Sequence, residues 1–274
     1  MVDFSVELIT RGEKSLIATL DSISSQTYDS MEIVCANSSN DPSVEKILSN
    51  YSVKHKEVGP VKHLKGRTLA HNLSSGKYSL IMDSTRTLAP EALEILKQYI
   101  EEYDMIAIRE GSKGTGFWVR QAERYRNSSE CNIDESTILH EVSSFILPRL
   151  YKKNILDSVF SSLQLKIPKK IFDLIGYGEH HLIFQEAIIS SGKFYHYRDH
   201  SLIYHYEDNA LGSIYGKYFS YGRDQKILTN LPSYRAGELS SHRRNLKVSQ
   251  IKDNIVCSPL ISVRTISFLL GMLT

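Results

Sequence analysis

Residues 66–93 read GRTLAHNLSSGKYSLIMDSTRTLAPEAL. The apolar run Tyr78–Met82 predicts a strand with Asp83 at its carboxyl end, and Pro90 predicts the start of the following helix. Open α/β sheets bind ligands at the carboxyl ends of their strands, where side chains leave the core and become accessible. Asp83 is therefore the first candidate for a ligand-binding carboxylate.

The segments around this stretch alternate between strand and helix patterns. Strands are predicted at Ser5–Ile9, Glu32–Ala36, Tyr51–Glu57 and Tyr103–Ile108, and helices at Leu16–Gln26, Pro42–Leu48, Thr68–Ser74 and Pro90–Ile100. Such alternation predicts an α/β fold in which a largely parallel sheet is covered by helices on both faces.

The pattern is weaker in the second half of the chain. Glycines at 111, 114 and 116 predict a flexible loop, followed by a polar helix near Phe117–Arg126. Beyond it we predict strands at Val142–Leu147, Phe194–Tyr197 and Leu202–His205, and a helix at Glu179–Ser190. No linker-like segment separates these elements from the first half.

The composition of the 274 residues is that of an ordinary globular protein, with 41% apolar residues. Lys and Arg (33) nearly balance Asp and Glu (31), so net charge gives no indication of nucleic-acid binding. The odd number of widely spaced cysteines, Cys35, Cys131 and Cys257, suits a reducing compartment and gives no disulfide or metal framework. The N-terminus reads as a strand rather than a signal peptide. We therefore expect a cytoplasmic protein.

The C-terminal region combines a basic segment with an amphipathic one. Within residues 213–253, Lys and Arg outnumber Asp and Glu. Residues 255–274 contain one charge, Arg264, and apolar residues at three- to four-residue spacing, which predicts an amphipathic helix. We predict that this helix lies in the membrane interface, with the basic segment attracted to anionic headgroups. Packing of the helix against the domain or a partner subunit is the alternative.

Several short motifs occur in an order that resembles the inverting family 2 glycosyltransferases with the GT-A fold. They are Gln26-Thr27-Tyr28, Glu32-Ile33-Val34, Asn72, Gly76-Lys77-Tyr78, Met82-Asp83-Ser84, Pro90-Glu91-Ala92-Leu93, Gly178-Glu179, Ser191-Gly192-Lys193 and Tyr204-His205. The resemblance covers residues 4–226. It implies a Rossmann-like three-layer sandwich with a mostly parallel central sheet over residues 1–228. Within it, residues 1–110 would form the nucleotide-sugar-binding half and residues 111–228 the acceptor-binding half, with residues 229–274 as a helical, membrane-associating extension.

The resemblance implies that a sugar is transferred, with inversion, from a nucleotide-sugar donor to an acceptor, which the tail suggests is lipid-linked or a polysaccharide. The family usually holds a divalent metal through an Asp-x-Asp turn, and the metal stabilises the leaving diphosphate. Here the turn is Asp83-Ser84-Thr85, which lacks the second carboxylate. Asp83 is the implied ligand of Mn²⁺ or Mg²⁺, and His205 would face that metal or the diphosphate, with a core or surface histidine as the alternative. Metal dependence is left open. Arg86 is an alternative diphosphate contact, or simply a surface arginine.

Further donor contacts follow from the resemblance by position. Thr10 and Arg11 end the first strand, Asn37 follows the second strand, and Ser84 follows Asp83. Arg67 and His71, just before Asn72, are additional phosphate or base contacts. The family's paired acids after the second strand are replaced by Ala36-Asn37, so the donor's identity does not carry over. Surface or turn roles remain the alternatives for these residues.

The position of the catalytic base also departs from the family. Where the family commonly has Glu-Asp, this chain has Glu179-His180-His181. Histidine can act as a base near neutral pH. We therefore predict His180 as the base, with Glu179 as an alternative base or an orienting partner. Capping of the following helix is the structural alternative.

Three family motifs are altered: the Asp-x-Asp turn, the paired acids after the second strand and the position of the base. A second hypothesis is therefore that the chain is not an enzyme but a GT-A-like binding or scaffold subunit of a glycan-assembly complex that has lost catalysis. A nucleotidyltransferase is disfavoured, because Thr10–Lys14 contains no glycine-rich phosphate loop. The expected partners are a nucleotide sugar, a lipid-linked or glycan acceptor and, through residues 255–274, the inner face of the cell membrane. A homo-oligomer is left open.

Overall fold

The computed structural model describes residues 2–130, 147–190, 193–231 and 255–274. The strands are β1 (Phe4–Thr10), β2 (Met31–Asn37), β3 (Lys54–Glu57), β4 (Tyr78–Asp83), β5 (Arg86–Leu88), β6 (Met105–Ile108), β7 (Glu110–Lys113), β8 (Pro148–Lys152), β9 (Phe194–Tyr197) and β10 (Ile203–Tyr206). The helices are α1 (Leu16–Ser24), α2 (Pro42–Asn50), α3 (His63–His71), α4 (Ala92–Ile100), α5 (Phe117–Glu130), α6 (Lys153–Lys166), α7 (Lys169–Phe172), α8 (Glu179–Ser190), α9 (Leu211–Thr229) and α10 (Ser258–Leu273).

The central sheet has seven strands in the order β3-β2-β1-β4-β8-β6-β9. All neighbouring pairs are parallel except those of β8, which runs antiparallel to β4 and β6. The strand order changes direction between β1 and β4, and such a switch point opens a crevice at the carboxyl ends of the strands. Asp83 is opposite Ile9 in the register, and Asn37 is opposite Thr10. Strands β1, β2 and β4 therefore deliver predicted site residues to one edge.

Apolar side chains cover both faces of this sheet. On one face, Leu16, Leu20 and Ile23 of α1 belong to a core that also includes residues of α2 and α4. A second core contains Leu156 and Leu163 of α6 together with residues of α3 and α8. The predicted three-layer α/β sandwich with a mostly parallel sheet is confirmed.

A second, three-stranded sheet has the order β5-β10-β7, and two of its strands, β7 and β10, come from the part of the chain in which the sequence pattern is weaker. The loop predicted from Gly111 onwards is wrong in part, because Glu110–Lys113 forms β7. This strand has no apolar alternation, and pairing with β10 holds it in place. A Cβ on Gly111 would lie 2.8 Å from the Tyr204 ring, so the glycine permits this pairing.

Other boundaries also differ from the sequence predictions. Helix α3 begins at His63 rather than Thr68, and α6 was not predicted at all. The strand predicted at 142–147 lies, except for Leu147, outside the described residues, and β8 begins at Pro148. Ser191 and Gly192 of one motif, Cys131, and residues 232–254 of the basic segment also lie outside them.

Helix α10 packs against α9 through two glycines. A Cβ on Gly222 would lie 2.0 Å from the Phe268 carbonyl oxygen, and one on Gly271 would lie 2.0 Å from that of Phe219. The opposite face of α10 exposes apolar side chains, namely Ile266, Leu269, Leu270 and Leu273. The tail helix is thus packed on the domain along one face, as in the alternative interpretation, and carries an uncovered apolar face on the other. None of the described helices is both long and apolar enough to cross a membrane.

Candidate functional site

Asp83 is held between two predicted site arginines at the end of β4. Its Oδ1 accepts from Arg67 Nη2, and its Oδ2 accepts from Arg86 Nη1. The Arg67 side chain is 1% exposed and also donates to the backbone carbonyl of Met82, which fixes it beneath the carboxylate. The structure therefore brings together Asp83, Arg67 and Arg86.

A buried glutamate that the sequence did not single out joins this group. Glu110 Oε1 lies 2.9 Å from Arg149 Nε and 3.3 Å from Arg86 Nε, and its Oε2 lies 3.0 Å from Arg126 Nη1. Burial raises the pKa of Glu110, but the guanidinium groups of Arg86, Arg149 and Arg126 outweigh it and hold the pKa far below its usual range. Glu110 therefore remains ionised and ties three arginines together.

His180 lies at the start of α8 beside two of these arginines. Its Nε2 is 2.6 Å from Arg149 Nη1 and 3.3 Å from Arg67 Nη2. Guanidinium groups only donate, so Nε2 is the acceptor and the proton is on Nδ1, which is buried and has no partner among the described residues. Burial, with the charges of Arg149 and Arg67, lowers the pKa of His180 well below its usual value. In this geometry neither nitrogen is open to take a proton from an acceptor, contrary to the expectation for His180.

Glu179 is adjacent to the same group. Its Oε1 lies 3.5 Å from Arg67 Nη2 and 3.3 Å from His180 Nε2. Burial raises the pKa of Glu179, and Arg67 and Arg149 offset only part of that rise. A carboxylate whose pKa is raised toward neutrality is better suited to act as a general base. The raised pKa of Glu179, against the lowered pKa of His180, therefore favours Glu179 for this role.

Thr10 and Ser84 lie at the ends of β1 and β4, but their hydroxyl groups are already engaged. Both donate to Oε2 of Glu13, at 2.8 Å for Thr10, and both residues are fully buried. Burial raises the pKa of Glu13, but hydrogen bonds from Ser84, the Arg11 amide and Thr10 lower it below its usual value. In this structure both hydroxyl groups are bound to Glu13, and a direct contact of Thr10 or Ser84 with the donor stays a prediction.

His71 is also placed differently from the expectation. Its Nδ1 lies 2.8 Å from Glu7 Oε1, and its Nε2 lies 3.0 Å from Asp157 Oδ1. The residue is 2% exposed, and its ring lies against Phe160. Because both nitrogens are occupied, His71 bridges β1 and α6 and offers no free atom to a phosphate or base.

An open cavity of about 410 Å³ lies at the ends of β1 and β2. Its lining residues are Arg11, Ser38, Ser39, Asn40, Pro60, Val61 and Lys62. Asn37 directly precedes this lining. It is fully buried, and its Oδ1 accepts from the Ser39 amide at 3.0 Å. A volume of several hundred Å³ is typical of small-molecule sites. Arg11 thus lines the cavity, and the contact of Asn37 with a ligand stays a prediction.

The structure does not join Asp83 and His205 into a metal site. His205 Nδ1 lies 3.0 Å from Glu207 Oε1, while both oxygens of Asp83 are bound by guanidinium groups. In the described ranges, no group of three or more His, Cys, Asp or Glu side chains is arranged to hold a metal ion. Hard divalent cations prefer several oxygen ligands, and Thr85 replaces the second carboxylate of the turn. The side chains around Asp83 therefore do not fit the metal that the resemblance implies.

The fold and this crevice can be compared with solved structures. S. aureus TarS (residues 1–349) is 17% identical, with a TM-score of 0.56 over 98% of this chain and 73% of that one. Its complex with UDP-GlcNAc is 18% identical, with a TM-score of 0.58 over 96% and 81%. The mannosyltransferase PcManGT from Pyrobaculum calidifontis, in complex with GDP-Man and Mn²⁺, is 11% identical, with a TM-score of 0.58 over 96% and 75%. These similarities show the GT-A fold.

The sequence itself gives a more specific comparison. No curated protein sequence matches the chain. The family profile described as glycosyl transferase family 2, however, matches residues 5–162, which is more than half of the chain. The match includes β1 to β8 and most of α6, and thus Asp83, Arg67, Arg86, Glu110 and Arg149. The chain therefore belongs to glycosyl transferase family 2.

Proposed function

We propose that this protein transfers a sugar, with inversion, from a nucleotide-sugar donor to a lipid-linked or polysaccharide acceptor at a membrane surface. The observation that carries the proposal is the crevice at the ends of β1, β2 and β4. There the cavity lined by Arg11 and Lys62 adjoins the strand end that bears Asp83. Residues 1–110 contribute the donor side of this crevice, and residues 111–228 contribute Glu179 and His180.

The transfer is a displacement at the anomeric carbon of the sugar. The acceptor oxygen forms a bond to that carbon while its bond to the diphosphate oxygen breaks, and the electron pair leaves with the diphosphate. The hydroxyl proton of the acceptor goes to the base, for which the raised pKa favours Glu179. His180 then acts through Arg149 and Arg67, as an acceptor that keeps both guanidinium groups in place.

An activity assay tests the proposal directly. The purified full chain is incubated with common nucleotide sugars, with water or a lipid-linked acceptor, and with Mn²⁺, Mg²⁺ or EDTA. Release of nucleoside diphosphate is followed by chromatography. We expect release with at least one donor, and at least a hundredfold loss in Glu179→Gln. Absence of hydrolysis and transfer with every donor, with and without metal, would count against the proposal.

The membrane part of the proposal rests on the exposed face of α10. Ile266, Leu269 and Leu273 are 57%, 54% and 80% exposed, and by sequence a basic segment precedes the helix. Apolar area together with basic charge is the combination by which peripheral helices bind anionic membranes. The protein would then act at the inner face of the cell membrane, near a lipid-linked acceptor.

Vesicle flotation tests this part separately. The full chain should float with vesicles containing an anionic phospholipid and remain unbound with neutral ones. The variant Ile266→Ser/Leu269→Ser should lose this binding. Leu165→Ser is the matched control, because Leu165 is 88% exposed on α6. Equal binding of all three proteins would refute the membrane assignment.

The alternative of a catalytically impaired binding or scaffold subunit has two structural observations in its favour. Asp83 is fully paired by arginines, and His180 is held as a hydrogen-bond acceptor. Calorimetry with nucleoside diphosphates, combined with the activity assay, separates these functions. Binding with activity supports the enzyme, binding without activity supports the binding subunit, and no binding together with stable co-purification of a partner supports the scaffold.

A further inference from the structure

The loop of residues 176–178 directly precedes Glu179 and is bound by Asp224, a residue of α9. The Tyr177 amide donates to Asp224 Oδ2 at 2.7 Å, and Asp224 is 5% exposed. A hydrogen bond from a backbone amide to a carboxylate is charge-assisted and is stronger than one between neutral groups. A buried carboxylate of α9 therefore holds the segment from which α8 begins.

Two glycines let α9 lie directly against this loop. A Cβ on Gly176 would lie 2.4 Å from Asp224 Oδ2, and a Cβ on Gly178 would lie 2.1 Å from Leu228 Cδ1. Leu228 is fully buried and lies one turn after Asp224 on α9. Because Glu179 follows Gly178 directly, a displacement of the loop against α9 also displaces Glu179.

The loop also contacts both helices through its own backbone and ring. The Glu179 amide donates to the Gly176 carbonyl oxygen at 3.4 Å. The centroid of the Tyr177 ring lies 4.3 Å from that of Tyr221, which precedes Asp224 by three residues and shares its face of α9. The loop thus connects the position of α9 to that of the Glu179 backbone.

The charge of Asp224 reaches a second part of the crevice. Burial raises the pKa of Asp224, and the hydrogen bond from the Tyr177 amide offsets only part of that rise. Lys62 and Arg11, which line the cavity at the ends of β1 and β2, also lower this pKa through their charges. The hydrogen bond and the charge can be separated by substitution, because asparagine keeps an acceptor for the amide and loses the charge.

We infer that Asp224 is a positioning residue, which sets the place of Glu179 in the crevice by holding the Tyr177 amide. The inference rests on the proposed function, in which Glu179 is the base. In this role Asp224 acts through the loop and does not touch the substrate. A base must lie within hydrogen-bond reach of the hydroxyl group that it deprotonates, and a misplacement of about 1 Å can cost about a hundredfold in rate.

Steady-state kinetics of Asp224→Ala and Asp224→Asn test the inference, with a nucleotide sugar from which the wild-type chain releases nucleoside diphosphate. Asp224→Ala should lower kcat by about a hundredfold, whereas Asp224→Asn should keep most of it. Both variants lose the charge near Lys62 and Arg11, so a change in the donor's KM should be common to both. Asp173→Ala is the matched control, because Asp173 precedes the loop and pairs with Lys65 at 3.3 Å.

A double-mutant cycle tests the same contact from the side of the loop. Gly176→Ala presses a methyl group against Asp224 Oδ2 and should by itself lower kcat. In Gly176→Ala/Asp224→Ala the carboxylate that the methyl group meets is absent, so the double variant should be no slower than Asp224→Ala. Hydrogen exchange measured by mass spectrometry gives a readout that needs no activity. Residues 175–180 should exchange faster in Asp224→Ala than in the wild type or Asp224→Asn.

Four outcomes overturn the inference. Full kcat for Asp224→Ala in an active chain would refute it and leave the proposed glycosyltransferase intact, and so would equal losses of kcat in Asp224→Ala and Asp224→Asn. Unchanged hydrogen exchange of the loop in Asp224→Ala would show that this side chain does not hold it. A wild-type chain that is inactive with every donor would overturn the inference and the proposed function together.

Discussion

Arg149 Nη1 lies 2.6 Å from His180 Nε2, so the histidine at the family's base position accepts a hydrogen bond from an arginine. The same arginine binds Glu110, which in turn binds Arg86 beside Asp83. A continuous series of ion pairs and hydrogen bonds thus connects the end of β4 to the start of α8. Each group in this series is held in position by its neighbours, so a single substitution should displace the groups next to it.

The first prediction separates the two candidate bases. Glu179→Gln should lower kcat by about 10²–10⁴ with little change in KM, because the group that accepts the proton is lost. His180→Gln should keep most of the activity, since its amide oxygen can still accept from Arg149. Steady-state kinetics of both variants give the comparison. A larger loss for His180→Gln than for Glu179→Gln would restore the histidine as the base.

The second prediction concerns the stability of the buried ion pairs. Arg149→Met leaves the buried Glu110 with fewer partners and removes the donor to His180, and should lower the free energy of unfolding by about 3 kcal/mol. Lys77→Met breaks the exposed pair with Glu101 and should cost far less. Urea unfolding measures both. Equal losses would show that the Arg149 contacts add little to stability.

The third prediction addresses the contact between α9 and α10. Gly222→Ala and Gly271→Ala each place a methyl group against a carbonyl of the facing helix, so the helices must separate. Both variants should unfold at lower temperature and expose the C-terminal helix to limited proteolysis. Gly216→Ala lies on α9 with open space around it, and its better helix propensity should leave stability unchanged or raise it by up to about 1 kcal/mol. Matching melting curves for all three would argue against close helix packing.

The fourth prediction is a loss of stability on mild acidification. Burial, with nearby cations, lowers the pKa of His196 to about 4 and that of His205 to about 3, against about 6.5 in an unfolded chain. At a pH between the folded and the unfolded pKa of each histidine, the unfolded chain binds more protons than the folded chain. Stability is therefore complete above about pH 6.5 and falls as pH decreases, by up to about 1.4 kcal/mol per pH unit for each histidine.

Urea unfolding between about pH 7 and pH 5 measures this slope. His196→Gln should flatten the profile by about one proton. A profile that stays flat until the carboxylates titrate near pH 4 would contradict the histidine contribution.

Local sequence order determined the central part of the fold and much of the site. The alternation of apolar strands and amphipathic helices predicted the parallel sheet, and strand ends predicted the place of Asp83, Arg86 and Arg11. These features depend on residues close together in the chain. Hydrophobic periodicity and turn chemistry therefore report them directly. The motif order was sufficient for the family.

Tertiary structure decided which of these residues are free to bind a ligand. Glu13 occupies the hydroxyl groups of Thr10 and Ser84, and Glu7 and Asp157 occupy His71. Glu110 and Arg149 join the site from strands that carry no recognisable motif. Up to 113 residues separate partners in the site, as for Arg67 and His180. Their pairing depends on how the sheet and helices pack, and packing also sets burial and thereby the pKa values of Glu179 and His180. The sequence thus determined where the site lies, and the packing determined which side chains in it remain available.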